Sequence, residues 1–234
     1  SAWENVKALA SNFHAVSPYL NVTNYTDFLL VVLAGSAELE ARTVGPVAPG
    51  SGFKFQMNDA DGYLRGASDR TDKVLVGVDN TYGLLREEEH PNFKMLIADR
   101  IHKHFFNGGV FTPARNIDRL NAWGDILEKT MIAEVARWKH MKIKEVPDQY
   151  GFSTPDEWKT KKDAYIASKA PGLTSKVVDR FKRDGLYPLL DAPRFNQHGG
   201  TIPESFQLEI TAPTTIYYTL DGSDPRLPGG GISP

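Results

Sequence analysis

Three proline-led segments constrain the fold of this chain more than any other feature of its sequence. Pro91 and Pro113 each begin an apolar pattern with helical spacing, and Pro155 lies within the capping box Thr154–Glu157. Proline favours the first turn of a helix because its missing N–H has no partner to lose there. We therefore predict helices over residues 91–106, from 113 to about 140, and over 155–169.

Apolar spacing predicts three further helices, over residues 3–16, 23–34 and 174–183. The second contains the run from Phe28 to Ala34, which predicts burial on nearly all of its sides. In the long helix after Pro113 we expect one face to point into the core. That face consists of Ile117, Leu120, Trp123, Leu127, Met131 and Val135.

An acidic segment follows directly on a predicted strand. Residues 53–57 alternate apolar and polar side chains, which indicates a half-buried strand and an α+β fold that is predominantly helical. The strand runs into Asn58-Asp59-Ala60-Asp61-Gly62. Two carboxylates at i and i+2, where a strand breaks into a turn, can both reach one hard cation. The same residue types are the commonest turn formers, so a solvated turn is the alternative interpretation.

Composition excludes several classes of function. Hydrophobic residues at 41% and aromatic residues at 11% of the 234 positions are enough for a packed core, so disorder is not expected. The formal net charge of −2 predicts no binding of nucleic acid. No apolar run approaches the ~18 residues that span a bilayer, so no membrane insertion is expected. Without cysteine the chain has no disulfides, thiolate metal sites or cysteine nucleophiles.

A calcium loop is the nearest rival for the acidic segment. An EF-hand with Gly62 at position 6 places Met57 and Ser68 at ligand positions, and we therefore reject it. A looser calcium site that uses Asp69 or Asp72 stays open.

Other catalytic patterns receive less support. His102 and His104 are two apart on a predicted helix, so they point to different faces and cannot share one zinc ion. The absence of a Gly-x-Ser-x-Gly motif leaves a serine hydrolase unsupported. Glu38 and Asp59 leave a paired-carboxylate glycosidase open.

Composition changes near Asp191. Residues 206–210 alternate apolar and polar side chains, residues 216–220 form a second apolar run, and Asp221-Gly222 is a hairpin-type turn signal. Two strands cannot bury a core by themselves. We therefore expect residues 191–234 to be the incomplete start of a β domain.

Four segments in sequence carry a resemblance to a known family. They are Asn21–Gly35, the strand with Asn58-Asp59-Ala60-Asp61, the helix that ends in His102-Lys103-His104-Phe105-Phe106-Asn107, and Asp184-Gly185-Leu186-Tyr187-Pro188. In this order they resemble the spore-coat protein H (CotH) family of atypical kinase-like proteins. The resemblance implies that residues 1–190 form a kinase C-lobe with a short β hairpin. Residues 216–226 resemble the chitobiase/hexosaminidase C-terminal type of β-sandwich, which often follows a CotH region.

The resemblance also implies a function, namely phosphotransfer from ATP, with Mg²⁺, to a hydroxyl of a protein substrate. It assigns Asp59 and Asp61 to the magnesium ion, Asn58 to the nucleotide site beside them, and Glu38 to the position of the catalytic acid. It further implies a bacterial protein that is secreted or displayed on the cell surface. The β module of such a protein is expected to contact a carbohydrate or another surface polymer.

The chain departs from the family pattern at three points. Ser36–Glu40 replaces an Asn-Asp-Trp type segment, and Asn58 replaces the usual tryptophan before the metal-binding aspartate. The lobe that carries the nucleotide-clamping lysine is expected upstream of Ser1, and no phosphate-binding P-loop motif occurs. We therefore expect a kinase fragment that is inactive in isolation. The alternative is a non-catalytic surface module with a structural calcium ion.

Overall fold

The computed structural model describes residues 16–35, 40–44, 51–58, 90–145 and 154–234. This part of the chain has an α+β fold that is predominantly helical, as predicted. Its helices are α1 (Val22–Gly35), α2 (Pro91–Phe105), α3 (Pro113–Glu145), α4 (Pro155–Ser168) and α5 (Ala170–Arg183). Its strands are β1 (Glu40–Val44), β2 (Lys54–Asn58), β3 (Arg194–Phe195) and β4 (Ile210–Thr211).

The sequence signals for helix boundaries are confirmed in most cases. The Thr154 hydroxyl caps α4 by accepting a hydrogen bond from the backbone N–H of Glu157 at 3.1 Å. The helix α3 continues five residues beyond the predicted end, and α5 begins four residues earlier than predicted. The predicted helix over 3–16 falls almost entirely outside the described residues.

The chain divides into two compact units. One comprises residues 1–103 together with 177–234, and the other comprises residues 104–176. Because the division falls within α2 and α5, each of these helices contributes to both units.

The core of the first unit is built around α1. Three consecutive side chains of this helix, Phe28, Leu29 and Leu30, are buried, and they cover most of its circumference. The prediction of burial on nearly all sides is thus confirmed for these residues. Phe55 of β2 packs against Phe28. The other buried apolar side chains of this unit in α2, α5 and the segment after α5 are Phe93, Ile97, Ile101, Val177, Val178, Phe181, Leu186 and Tyr187.

The second unit contains a helix pair in which α4 packs along α3. The predicted inward face of α3 is wrong for two residues, since Trp123 and Leu127 are 59% and 42% exposed. Contacts with α4 run through a neighbouring side of α3 instead. Gly124 lies against the Lys162 side chain, and Glu128 pairs with Lys159 at 3.0 Å.

The tail shows little regular β structure within residues 191–234. The strand predicted over 206–210 is reduced to β4, which pairs antiparallel with the two residues of β3. No strand forms over 216–220, all of which are described. Tyr217, Tyr218 and Leu220 are exposed there, so these side chains gain no burial from a sheet.

Candidate functional site

A two-stranded hairpin leads to the acidic residues that the sequence singled out. The strands β1 and β2 are antiparallel, with Glu40 paired to Asn58 at one end and Val44 paired to Lys54 at the other. Asn58 is therefore the last residue of β2, one residue beyond the strand predicted over 53–57. The other three predicted site residues, Glu38, Asp59 and Asp61, lie outside the described residues, as do Asp69 and Asp72 of the alternative calcium site.

The pairing of Glu40 with Asn58 brings two parts of the chain to one edge of the hairpin. The chain reaches β1 from the segment that contains Glu38, and it leaves β2 into the segment that contains Asp59 and Asp61. We refer to this end of the hairpin as the Glu40–Asn58 edge. Sequence reasoning did not find it, because β1 was not predicted as a strand. The signal was the alternation of Ala41 and Thr43 with charged neighbours.

The first turn of α1 holds β2 in place. The Oδ1 atom of Asn24 accepts a hydrogen bond of 2.7 Å from the backbone N–H of Phe55. A second bond precedes it in both segments: the Asn21 N–H donates to the carbonyl oxygen of Phe53 at 2.9 Å. The ring of Phe55 packs on Tyr25 and Phe28 of α1, with centroid distances of 4.8 and 5.4 Å. The strand that ends at Asn58 is thus fixed to the most buried helix.

A carboxylate–guanidinium pair joins α1 to α2. Arg100 donates to both carboxylate oxygens of Asp27, with distances of 2.6 and 2.5 Å. The two side chains are 17% and 34% exposed, respectively, so the pair is partly shielded from solvent. A bidentate geometry fixes the relative orientation of two helices better than a single contact does.

Next to this pair on α2, His102 contacts the turn after α5. Its Nδ1 atom lies 2.9 Å from the Tyr187 hydroxyl oxygen, and the two rings are stacked. The turn is set by Gly185, which has a φ of +70°, and by a hydrogen bond from Leu186 N–H to the Phe181 carbonyl oxygen. Two segments that carry the family resemblance are therefore in direct contact.

The surroundings of His102 favour its neutral form. Burial lowers the pKa of the His102 imidazole, and the nearby His198 lowers it further, against a smaller opposing effect of Asp99. Burial raises the pKa of the Tyr187 hydroxyl, and the charge of Asp191 adds to this effect. Both groups are therefore uncharged at neutral pH, and the imidazole tautomer decides which of them donates the hydrogen bond.

A cleft of about 710 Å³ opens between the start of α1, the first half of α2 and the end of the tail. Its charged wall is a cluster in which Arg226 donates to Asp99 at 2.9 and 2.8 Å and to Asp224 at 2.9 Å. Gly229 N–H also donates to the Asn92 side chain at 2.6 Å. These contacts attach the tail to α2. Sequence reasoning missed the role of Arg226, because a single arginine in a polar segment does not indicate a partner such as Asp99.

The described residues contain neither a cluster of metal ligands nor a helix that could cross a membrane. No group of three or more histidine, aspartate or glutamate side chains within the described ranges is arranged to hold a metal ion. None of the described helices is at once long enough and apolar enough to cross a membrane.

Comparisons of the chain with family models, with curated proteins and with solved structures found no match.

Proposed function

We propose that the chain contains the C-lobe of a CotH-like atypical protein kinase, with its catalytic carboxylates at the Glu40–Asn58 edge. The pairing of these two residues is the observation that carries the proposal. Phosphoryl transfer to a hydroxyl uses one acidic residue that accepts the hydroxyl proton and another that holds the metal ion. The sequence places Glu38 two residues before Glu40 and Asp59 directly after Asn58. The hairpin register thus supports a site to which both segments contribute.

The contacts between the four family-like segments support the same proposal. Asn24 joins the first segment to the strand that ends at Asn58, and Asp27 joins it to α2 through Arg100. His102 then joins α2 to Tyr187 of the fourth segment. Segments that are far apart in sequence therefore form one connected structure. A chance likeness of four separate segments gives no reason for such contacts.

The residues of the acidic segment fit a magnesium ion by their chemistry. Asp59 and Asp61 offer the hard carboxylate oxygens that Mg²⁺ prefers, at a spacing that lets both reach one ion. When bound, the ion would neutralise charge on the nucleotide phosphates. Glu38 would accept the proton of the substrate hydroxyl. Asn58 would contact the nucleotide beside the metal ligands.

Titration calorimetry tests this proposal on the full chain. We expect saturable binding of ATP that depends on Mg²⁺ and that weakens at least about tenfold in Asp59→Asn, since a neutral amide is a poor magnesium ligand. Asp118→Asn removes the same charge from an exposed position of α3 and should leave binding unchanged. Glu38→Gln should retain nucleotide binding, because Glu38 is assigned neither to the metal ion nor to the nucleotide. No binding of Mg²⁺ and ATP by the wild-type chain would contradict the proposal.

The departures of Ser36–Glu40 from the family pattern favour a second candidate function. In this alternative the chain is a non-catalytic surface module, and the acidic segment holds a structural calcium ion. Binding of Ca²⁺ without any binding of nucleotide, lost in Asp59→Asn, would distinguish this function from the first. A calcium-dependent rise in melting temperature would support it independently.

A further inference from the structure

One side of α3 presents large apolar side chains to solvent. Trp123, Ile126 and Leu127 are neighbours at i, i+3 and i+4, and they are 59%, 64% and 42% exposed. Contiguous apolar surface of this kind on a folded protein marks an interaction site more often than isolated exposed residues do. We call this side, extended by one turn or more at each end, the Trp123 face. Its members are Asn116, Arg119, Trp123, Ile126, Leu127, Thr130, Glu134 and Arg137.

The partner helix within the same unit does not cover the Trp123 face. The helix α4 contacts α3 through Gly124, which lies against Lys162, and through Glu128, which pairs with Lys159. Gly124 and Glu128 are one helical turn apart and thus share one side of α3. Trp123 and Ile126 lie away from that side.

The charges on the Trp123 face are arranged symmetrically about its apolar centre. Arg119 lies seven residues before Ile126, and Glu134 lies seven residues after Leu127. At 1.5 Å per residue these opposite charges are separated by about 22 Å along the helix axis. The Arg119 guanidinium is held by hydrogen bonds to Asn116 Oδ1 at 3.1 Å and to the Val110 carbonyl oxygen at 2.8 Å. No carboxylate in the described part of the chain pairs with it.

This symmetry matches a second copy of the same helix placed antiparallel. In such a pair Ile126 faces Leu127 of the other copy, and Trp123 faces Thr130, a smaller side chain that leaves room for the indole. Arg119 faces Glu134, and the two-fold axis repeats this charge pair at the other end. In the same register Arg137 faces the uncharged Asn116 of the other copy. The paired charges of the Trp123 face are therefore opposite in sign.

We propose that the Trp123 face binds a second copy of this chain, so that two α3 helices pack antiparallel in a symmetric dimer. The paired face runs from Asn116 to Arg137, which is about 32 Å of helix. A contact of one helix on another is at the small end of specific interfaces, so we expect dissociation in the micromolar range.

Analytical ultracentrifugation over a range of concentrations tests the dimer. We expect the wild-type chain to pass from monomer to dimer, and Ile126→Asp to remain monomeric at every concentration used. Ile132→Asp is the matched control: Ile132 is 61% exposed on the same helix, and it lies about two and a half turns from Trp123, on the opposite side. This variant should dimerise as the wild type does. Equal effects of the two substitutions, or a wild-type chain that stays monomeric, would overturn the proposal.

Charge reversal tests the antiparallel arrangement itself. Arg119→Glu and Glu134→Arg should each raise the dissociation constant at least about tenfold, because each brings like charges together at both ends of the interface. The double variant restores opposite charges and should recover most of the wild-type affinity. A double variant that is weaker than either single variant would exclude this geometry.

Because the chain has no cysteine, a single introduced thiol reports on what covers the face. Ile126→Cys should react quickly with a thiol reagent in dilute solution and slowly at concentrations that give dimer. Slow reaction of a monomer would mean that another segment of the same chain occupies the Trp123 face, and this would refute the dimer.

Discussion

The side chain of Asn24 and the backbone of Phe55 are joined by a hydrogen bond of 2.7 Å between Oδ1 and the N–H group. This bond links the first turn of the most buried helix to the second residue of β2, three residues before Asn58. The bond lies on the side of β2 that faces α1, whereas the pairing of β2 with β1 is on its other side. Together with the packing of the Phe55 ring on Tyr25 and Phe28, this amide side chain positions the strand that ends at the Glu40–Asn58 edge.

Replacement of Asn24 should accordingly destabilise the fold. We expect Asn24→Ala to lower the free energy of unfolding by about 1–3 kcal/mol, because the Phe55 N–H is left without its acceptor. Urea denaturation followed by circular dichroism measures this effect. Asn121→Ala, at an exposed position of α3, is the matched control and should change stability by less than about 0.5 kcal/mol. Equal stability of Asn24→Ala and the wild type would contradict the assigned role.

The pair of Asp27 and Arg100 should contribute more to stability than the exposed pairs do. We expect a coupling energy of about 1–2 kcal/mol in a double-mutant cycle with Asp27→Asn and Arg100→Met, because the bidentate pair is partly shielded from water. Glu128 and Lys159, which are about half exposed, provide the comparison cycle, with an expected coupling below about 1 kcal/mol. Similar coupling energies in the two cycles would show that the shielding of Asp27 and Arg100 has no effect.

The lowered pKa of His102 predicts a stability that depends on pH. The unfolded chain binds a proton at His102 near its ordinary pKa of about 6.5, whereas the folded chain binds it only at lower pH. Stability from the neutral imidazole is therefore present above about pH 6.5 and is lost as the pH falls towards the folded pKa. His102→Gln should flatten the curve of unfolding free energy against pH between about 5 and 7.

Tyr187→Phe separates the hydrogen bond from burial in this experiment. It removes the hydroxyl partner but keeps the ring that packs on His102. Since burial is the larger cause of the lowered pKa, we expect this variant to lose stability at neutral pH and yet to keep most of the pH dependence. A His102→Gln variant with the full pH dependence of the wild type would assign that dependence to other groups.

Gly52 lies where the chain approaches α1 too closely for a side chain. Its φ is +66°, and a Cβ atom there would stand 2.7 Å from the Asn21 nitrogen and 2.8 Å from the Leu20 carbonyl carbon. We expect Gly52→Ala to cost at least about 2 kcal/mol, because backbone atoms cannot move aside as a flexible side chain does. In Gly172→Ala, which meets no atom within 4 Å in α5, we expect a gain of up to about 1 kcal/mol. Thermal melts of both variants compare these effects.

Local sequence signals predicted the helices well, because caps and apolar spacing act within a few residues. The hydroxyl of Thr154 and the proline that follows it define the start of α4 in both the sequence and the structure. The strand β1 was missed, because the charges of Glu40 and Arg42 mask an alternation that only the pairing with β2 makes visible. Propensity contains no information about such a partner.

The errors on α3 have a different origin. Periodicity states which side chains share a face of a helix, and it does not state whether another element covers that face. Trp123 and Leu127 were therefore predicted inward, although α4 packs on the side of Gly124. For the site, the sequence placed the end of β2 within one residue of Asn58, but Asn24 and Arg226 act through contacts that only the folded chain defines. The boundary after residue 190 and the roles of Glu38, Asp59 and Asp61 stay predictions.

The register of the hairpin places the proposed catalytic segments and the connection between its strands at opposite ends. The segments that contain Glu38, Asp59 and Asp61 join the hairpin at the Glu40–Asn58 edge, whereas the connection runs from Val44 to Lys54 at the other end. A strand of five residues rises by about 3.3 Å per residue, so these two ends are more than 10 Å apart. The far end is therefore a natural place for a peptide tag or a fluorescent reporter. A label inserted there would be attached at the end of the hairpin opposite to the segments that contain Glu38 and Asp59.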